Sequence, residues 1–382
     1  MAGSKRENEF PELISPFLKA KISETQERYG AESRQVLALT RQYLKDPLEK
    51  VIRPTERRRH YESEVILEFE GRPVVGVERL YKRTILIEPT TVCAAHCRWC
   101  LRGQYAVKTM TAEDITHATR YIGSESRRDE IDEVLITGGD PLMSMPLLAL
   151  TLSELQRNAS NVRTVRIGSR VIFQDPRRIN ADLMAIFARY PDFRYEVGVN
   201  VNHPIEFWPE CTEAIARLQD GGIRMYNQHP LLRGVNDDFE TLVELYSLLR
   251  DHRIEAHYLF HAIPLRGMSH HRTSLRRGAE LAAAISSCGE FSGRSKPKYA
   301  VLSDIGKIVI YDGVIRDSRL SDNALLLRSG FKLEDRQRWV PSWKIPESVV
   351  IDNQGYMNTW YLDGPEDDAV TLHQPRARIP AA

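Results

Sequence analysis

The chain has 382 residues, of which 42% are hydrophobic, and its 53 basic and 52 acidic side chains leave a formal net charge of +1. This is the composition of a globular protein with a large core, and the balanced charge does not favour nucleic acid or an anionic membrane as a partner. No run of about 18 apolar residues occurs, and the N-terminal MAGSKRENEF is charged where a signal peptide would be apolar. We therefore expect a cytoplasmic protein that has no membrane span and binds small molecules.

The first 80 residues are charged and mostly helical in pattern. In the segment ESRQVLALTRQYLKD, for example, Val36, Leu37, Leu39 and Leu44 recur at the spacing of one helix face. The pattern predicts an N-terminal helical extension over residues 1–80.

From Thr84 onward, short apolar runs alternate with amphipathic stretches, as expected for consecutive βα units on a parallel sheet. Six such runs occur: TILIEP, EVLITG, TVRIGS, EVGVNV, IRMYNQ and EAHYLF. They predict an α/β fold, with a partial (βα)6 barrel as the core over residues 81–295. In such folds the chemistry lies on the loops that follow the strands.

The last part of the chain is richer in strand patterns. YAVLSD, KIVIYD and ALLLRS predict closing strands over residues 296–334, and residues 335–382 form a β-rich, aromatic extension. This extension is expected either to cap the barrel or to contact another subunit. The final HQPRARIPAA is expected to be disordered.

Three of the five cysteines lie within eight residues, on the loop after the first barrel strand. Cys93, Cys97 and Cys100 can each bind one iron of a [4Fe-4S] cluster and leave the fourth iron open. A zinc site that used His96 as well is too crowded, because His96 is the direct neighbour of Cys97. The motif CxxxCxxC, with Trp99 before the last cysteine, resembles that of the radical S-adenosylmethionine (SAM) superfamily. The resemblance implies that SAM binds the open iron.

A second motif, TGGDP, follows the next strand. Gly138 and Gly139 allow a ligand to approach the backbone closely, and Asp140 offers an acceptor for the SAM ammonium group. On its own this sequence is an ordinary turn. Its place one βα unit after the cysteines resembles the SAM-binding glycine motif of the superfamily.

Within that superfamily the chain resembles the lysine 2,3-aminomutase family over residues 75–330. Four stretches carry the resemblance: VRIGSRV at 165–171, VNHP at 201–204, NQHPLLRGVND at 227–237 and GMSHHRT at 267–273. It implies three cofactors, namely the cluster, SAM and pyridoxal 5'-phosphate (PLP). The implied activity moves an amino group from C2 to C3, with a flavodoxin- or ferredoxin-type reductant and a homo-oligomeric enzyme.

The resemblance also implies roles for single residues. Lys307, in the segment SDIGKI, would be the catalytic lysine that binds PLP, and Arg102 would pair with the substrate α-carboxylate. His203 and Gln228 would lie near SAM, and Arg83 is a candidate for the PLP phosphate. Read as isolated residues, His203 and Gln228 would more often be satisfied polar groups at strand ends.

The substrate side chain is expected to differ from that of lysine. Lysine mutases use two aspartates for the distant ammonium group, and the positions that resemble them here hold Ile263 and a displaced Asp304. An ammonium group buried against isoleucine would lack its counterion. Arg266 or His261 would instead receive an acidic side chain, or Ile263 an apolar one.

The resulting expectation is an isomerase, a PLP- and SAM-dependent 2,3-aminomutase acting on an α-amino acid other than lysine. The alternative is a radical SAM enzyme that carries out epimerisation, elimination or dehydrogenation without PLP. The third interpretation is a non-catalytic metal-binding or scaffold protein.

Overall fold

The structure, a computed structural model, describes residues 10–51, 67–101, 107–124 and 130–365. The strands of these residues are β1 Leu67–Phe69, β2 Arg72–Val74, β3 Val77–Glu78, β4 Thr84–Thr90, β5 Glu133–Gly138, β6 Thr164–Ser169, β7 Arg194–Val199, β8 Arg224–Leu231, β9 Glu255–His261, β10 Lys298–Ser303, β11 Gly306–Val309, β12 Ile315–Arg319, β13 Ala324–Leu327, β14 Val349–Ile351 and β15 Met357–Leu362. The helices are α1 Pro16–Tyr29, α2 Arg34–Tyr43, α3 Ala112–Gly123, α4 Met145–Asn158, α5 Val171–Gln174, α6 Ala181–Arg189, α7 Pro209–Asp220, α8 Phe239–Asp251, α9 Leu275–Ser287 and α10 Leu333–Trp339.

The central element is a sheet of nine strands in the order β11-β10-β9-β8-β7-β6-β5-β4-β3. Strands β4 to β10 are parallel, whereas β3 and β11 pair antiparallel at the two edges. The six predicted barrel strands are β4 to β9, so this prediction is confirmed. The architecture is the expected partial barrel.

Alternate residues of each strand face opposite sides of this sheet. On β5 and β6, Val134, Ile136, Val165 and Ile167 are fully buried in the core under the helices. The other side of the sheet is concave. This curvature is seen in the contact of the Arg166 side chain on β6 with Tyr226 on β8, across the intervening strand β7. On β7, Gly198 makes room for this contact: a Cβ there would stand 2.7 Å from Tyr226 Oη.

The N-terminal extension differs from its prediction in one part. Residues 67–78 form a hairpin and an edge strand rather than a helix. Glu70 and Gly71 both have positive φ angles, of 51° and 72°, which is the geometry of a tight hairpin turn between β1 and β2. Leu67 and Val74 pair across this hairpin and are buried. Helices α1 and α2 are as expected.

The C-terminal part forms a second sheet in the order β12-β13-β15-β14, together with α10. Helix α10 spans the two edges of the barrel sheet. Its Arg336 donates to the backbone carbonyl of Ile305 beside β11 at 2.8 Å, and its Trp339 ring lies 5.3 Å from the Arg79 guanidinium beside β3. The extension therefore caps the barrel of its own chain. The segment 373–382, which was expected to be disordered, lies outside the described residues.

Among the described residues, no helix has the length and apolar character needed to cross a membrane.

Candidate cluster and cofactor site

The three cysteines of the motif follow β4, so they lie at the edge of the sheet where parallel strands end. The Cys100 N–H donates to the Cys97 carbonyl at 3.0 Å, which forms a tight turn, and none of the chain's five cysteines is in a disulfide. Burial, together with the proximity of Cys100, Asp140 and Cys97, raises the pKa of the Cys93 thiol. Three thiols thus share one small volume. Among the described residues, no group of three His, Cys, Asp or Glu side chains is arranged to hold a single metal ion. A [4Fe-4S] cluster does not require such a group, because each iron needs only one thiol.

The sulfur of Cys97 has two side-chain donors from the segment after β6. Arg170 Nη1 and Gln174 Nε2 each lie 3.4 Å from Cys97 Sγ. Burial raises the pKa of Cys97, and the Arg170 charge acts in the opposite direction. A cationic and a neutral N–H donor therefore point at a sulfur that would be a thiolate in the cluster.

The N-terminal extension fastens the cysteine loop from the other side. The backbone N–H of His96 donates to the Leu13 carbonyl at 2.8 Å. Arg98, whose side chain is fully buried, forms a forked ion pair with Glu49, with Nε 2.8 Å from Oε1. Arg98 also donates to the Pro11 carbonyl at 3.1 Å. The extension is thus part of the site's construction, which sequence reasoning did not foresee.

The two glycines after β5 serve close backbone packing. Gly138 has φ +118°, and a Cβ there would stand 2.5 Å from the Thr90 carbonyl oxygen. At Gly139 a Cβ would meet the Thr91 and Val92 backbone at 2.3 and 2.4 Å. These contacts press the glycine motif against the start of the cysteine loop. The expected contact of this backbone with SAM stays a prediction.

The role predicted for Asp140 conflicts with its surroundings. Its carboxylate accepts from Ser169 Oγ at 2.9 Å and from the backbone N–H groups of Leu142, Arg170 and Val171 at 2.8 to 3.1 Å. These bonds occupy the lone pairs that a SAM ammonium group would need. The geometry assigns Asp140 to holding the end of β6, and the interpretation as an ammonium acceptor is corrected accordingly.

Three amide oxygens at this edge of the sheet have no hydrogen-bond partner among the described residues. They are Oδ1 of Asn200 and of Asn202, in the turn after β7, and Oε1 of Gln228 on the adjacent β8, and all three atoms are buried. A buried acceptor without a donor is costly, so these oxygens fit a ligand with hydroxyl or amine groups such as SAM. Gln228 was predicted. Asn200 was not, although its place after a barrel strand was a usable signal.

His203 has a local structural role. Its Nδ1 accepts from the Ile205 N–H at 3.1 Å and caps the turn after β7. Burial lowers its pKa, so the ring is neutral at pH 7. A position near SAM stays a prediction for His203.

Lys307 lies on β11 and points into the concave side of the barrel. Its Nζ stands 5.2 Å from the centre of the Tyr258 ring and 5.3 Å from that of Phe260, both on β9. Burial, and after it the nearby Arg166 charge, lower the pKa of Lys307 to about 8 against the opposing effect of Glu133. A lysine with a lowered pKa is a more available nucleophile at neutral pH.

Arg83 directly precedes β4. Its side chain is 73% exposed, and it forms an ion pair with Asp132, just before β5. The seven residues of β4 separate it from the cysteine edge by roughly 20 Å, at about 3.3 Å per residue. A role for Arg83 at the PLP phosphate stays a prediction.

The candidates for the substrate side chain are also changed. Asp304 is buried, and its Oδ2 accepts a hydrogen bond from Ser348 of the C-terminal part. His261 is fully buried, and its ring nitrogens lie 2.8 Å from Tyr361 Oη and the Thr273 carbonyl. Burial and the nearby Arg272 lower the pKa of His261 to about 3, so it is not a cation for an acidic group.

Among the remaining positions, Arg266 is exposed and Ile263 is half-buried. Arg102, the candidate for the substrate carboxylate, lies outside the described residues.

Residues 87–246 match the sequence model of the Radical SAM superfamily, which covers β4 to α8 and the cysteine loop. The chain is therefore a radical SAM protein. It is 35% identical over 237 residues to a "Putative L-lysine 2,3-aminomutase" of Aquifex aeolicus (strain VF5), covering 61% of this chain and 62% of that protein. A second A. aeolicus protein of the same description is 30% identical over 278 residues, covering 69% and 72%.

A "Glutamate 2,3-aminomutase" of Clostridioides difficile (strain 630) is 30% identical over 235 residues, covering 60% of this chain and 53% of that protein. The chain thus spans between about half and three quarters of the length of these three relatives. With these matches, the chain belongs to the lysine 2,3-aminomutase family of radical SAM enzymes.

The described residues fit the cofactors of this family in part. The three thiols, with two N–H donors at Cys97, suit a [4Fe-4S] cluster, and the unpartnered amide oxygens suit SAM. The half-buried Lys307, with its lowered pKa, suits PLP.

Proposed function

We propose that the protein is a PLP- and SAM-dependent aminomutase that moves the amino group of an α-amino acid from C2 to C3. The observation that carries this proposal is the half-buried Lys307, whose amine lies 5.2 and 5.3 Å from the Tyr258 and Phe260 rings and has a pKa lowered to about 8. A structural lysine would be expected at the surface with its charge in water. Family membership supports the same assignment.

Each group of residues has its own part in this proposal. Cys93, Cys97 and Cys100 hold the cluster, which would supply the electron that cleaves SAM to a carbon radical. Asn200 and Gln228 accept hydrogen bonds from SAM and so orient it. Lys307 would hold PLP, which would supply the carbonyl group that carries the substrate nitrogen while it moves from C2 to C3.

The Lys307 amine must be neutral when it forms its bond to PLP, and its lowered pKa supports this. The aromatic rings of Tyr258 and Phe260 exclude water from one side of the amine. Arg102 is the candidate that pairs with the substrate carboxylate.

We further propose that the substrate is not lysine. Neither position expected to face a distant ammonium group offers it a carboxylate, because one holds Ile263 and the other, Asp304, is engaged with Ser348. Of the two cations considered for an acidic side chain, His261 is neutral and engaged, which leaves Arg266. Incubation with lysine, glutamate and leucine, followed by chromatographic detection of β-amino acids, distinguishes these classes. A β-isomer from lysine alone would contradict the proposal.

The first experiment is to trap PLP on the protein with borohydride and to map the modified peptide. We expect a pyridoxyl group on Lys307 in the wild type, loss of this adduct in Lys307→Ala, and retention in Lys298→Ala. Lys298 is the matched control, since it is an exposed lysine on the neighbouring strand β10. Absence of an adduct on Lys307, with SAM cleavage intact, would rule out the 2,3-shift.

That outcome would favour the second candidate function, a PLP-independent radical reaction such as epimerisation, elimination or dehydrogenation. The exposure of Arg83 and its ion pair with Asp132 favour it, because this arginine was the residue expected to hold the PLP phosphate. Detection of deuterium exchange at the substrate carbon without a β-isomer would support it.

The remaining expectations are a flavodoxin- or ferredoxin-type reductant, a homo-oligomer and a cytoplasmic location. They stay predictions. Reduction of the cluster by each reductant and light scattering of the purified protein test the first two.

A further inference from the structure

We propose that Arg170 and Gln174 are positioning residues for the cluster ligand Cys97, and that their N–H bonds to its sulfur raise the midpoint reduction potential of the cluster. The inference rests on the cluster of the proposed function and concerns residues for which that function assigns no role.

The two donors come from one short segment at the end of β6. Arg170 begins the turn into α5 and Gln174 is the last residue of that helix. Their Nη1 and Nε2 atoms each stand 3.4 Å from Cys97 Sγ, and both side chains are buried. Asp140 fixes this segment through its bonds to the Arg170 and Val171 N–H groups. The donors are therefore placed by a rigid backbone.

The Arg170 guanidinium is held in place by a buried network. Its Nη2 donates to Gln42 Oε1 at 2.6 Å and to Glu206 Oε2 at 2.8 Å, and both partners are fully buried. Its planar group also lies 4.7 Å from the Trp99 ring and 5.1 Å from the Tyr43 ring. With these partners fixed, Nη1 remains directed at the sulfur.

The consequence for the cluster follows from electrostatics. Hydrogen bonds to cysteine sulfurs are one of the factors that set the potential of an iron–sulfur cluster. An N–H donor draws charge from the thiolate and so stabilises the reduced cluster, which carries one more electron. Glu206 compensates part of the positive charge of Arg170. Gln174 is neutral, so no counterion offsets the effect of its hydrogen bond on the sulfur.

The test is Gln174→Leu in the full chain, reconstituted anaerobically with iron and sulfide and reduced stepwise with dithionite. EPR-monitored titration should give a more negative midpoint potential than the wild type, and resonance Raman should give a higher iron–thiolate stretching frequency. Gln219→Leu is the matched control, because Gln219 on α7 donates to the carbonyl of His252, just after α8, and not to a cysteine. It should leave both values unchanged.

An equally loaded Gln174→Leu protein with wild-type potential and frequency would overturn the proposal. If this variant binds no cluster, Glu206→Gln provides a test in the opposite direction, since removal of the counterion should shift the potential upward. An unchanged potential in Glu206→Gln, or loss of the cluster in both variants, would assign the network a purely structural role. Failure of the wild type itself to load a cluster would refute the proposed function, which is a separate outcome.

Discussion

Lys307 illustrates how burial sets the chemistry of a single residue. Its pKa of about 8, against 10.5 for an exposed lysine, means that the amine loses its proton at a lower pH. We therefore expect the PLP adduct to form increasingly as the pH rises through about 8, as measured by mass spectrometry after borohydride trapping at fixed PLP. A midpoint near 10 would show that the amine is solvated.

Gly139 is the clearest steric prediction. In Gly139→Ala the new Cβ would overlap the Thr91 and Val92 backbone, and such overpacking costs about 1–3 kcal/mol. We expect this loss in the free energy of unfolding measured by urea denaturation, together with a lower iron content after reconstitution. Gly289→Ala is the control, because a Cβ there meets nothing within 4 Å. Equal stability of the two variants would contradict the steric account.

Residue roles were harder to predict than residue types. The cysteine spacing alone identified the thiols, because three ligands on one loop need no long-range information. Asp140 was misread because its donors lie about 30 residues further along the chain, at 169–171.

Among the elements, the N-terminal extension is the one whose function was least evident from the sequence. The six barrel strands were found because β-branched runs and polar loops mark them locally. The attachment of α1 and α2 to the cysteine loop depends on contacts such as that of Arg98 with Glu49, which are 49 residues apart. Such pairings leave no local pattern.

This attachment yields a prediction for Glu49→Gln. The substitution leaves the buried Arg98 guanidinium without its counterion, and since Glu49 is partly exposed we expect a loss of about 1–3 kcal/mol in urea denaturation. Glu113→Gln, which breaks an exposed ion pair with Arg72, should cost less than about 0.5 kcal/mol. Equal effects would mean that water screens both pairs alike.

At the scale of the whole molecule, the C-terminal part completes a barrel that its strands leave open. Arg336 on α10 is buried and joins the Ile305 carbonyl to the Trp343 ring. Arg336→Met should lower the free energy of unfolding by about 1–3 kcal/mol and speed amide hydrogen exchange in β11. Arg276→Met, at an exposed helix position, is the control. Unchanged exchange in β11 would show that α10 does not support the strand of Lys307.

The buried network around Cys97 also has a consequence for biosynthesis. Its members come from four separated parts of the chain, and the last of them, Glu206, is translated more than a hundred residues after Cys97. While the protein is being made, the three thiols leave the ribosome before the groups that shield them exist. The donor network of Cys97 can therefore form only late in synthesis, once Arg170, Gln174 and Glu206 have all been translated.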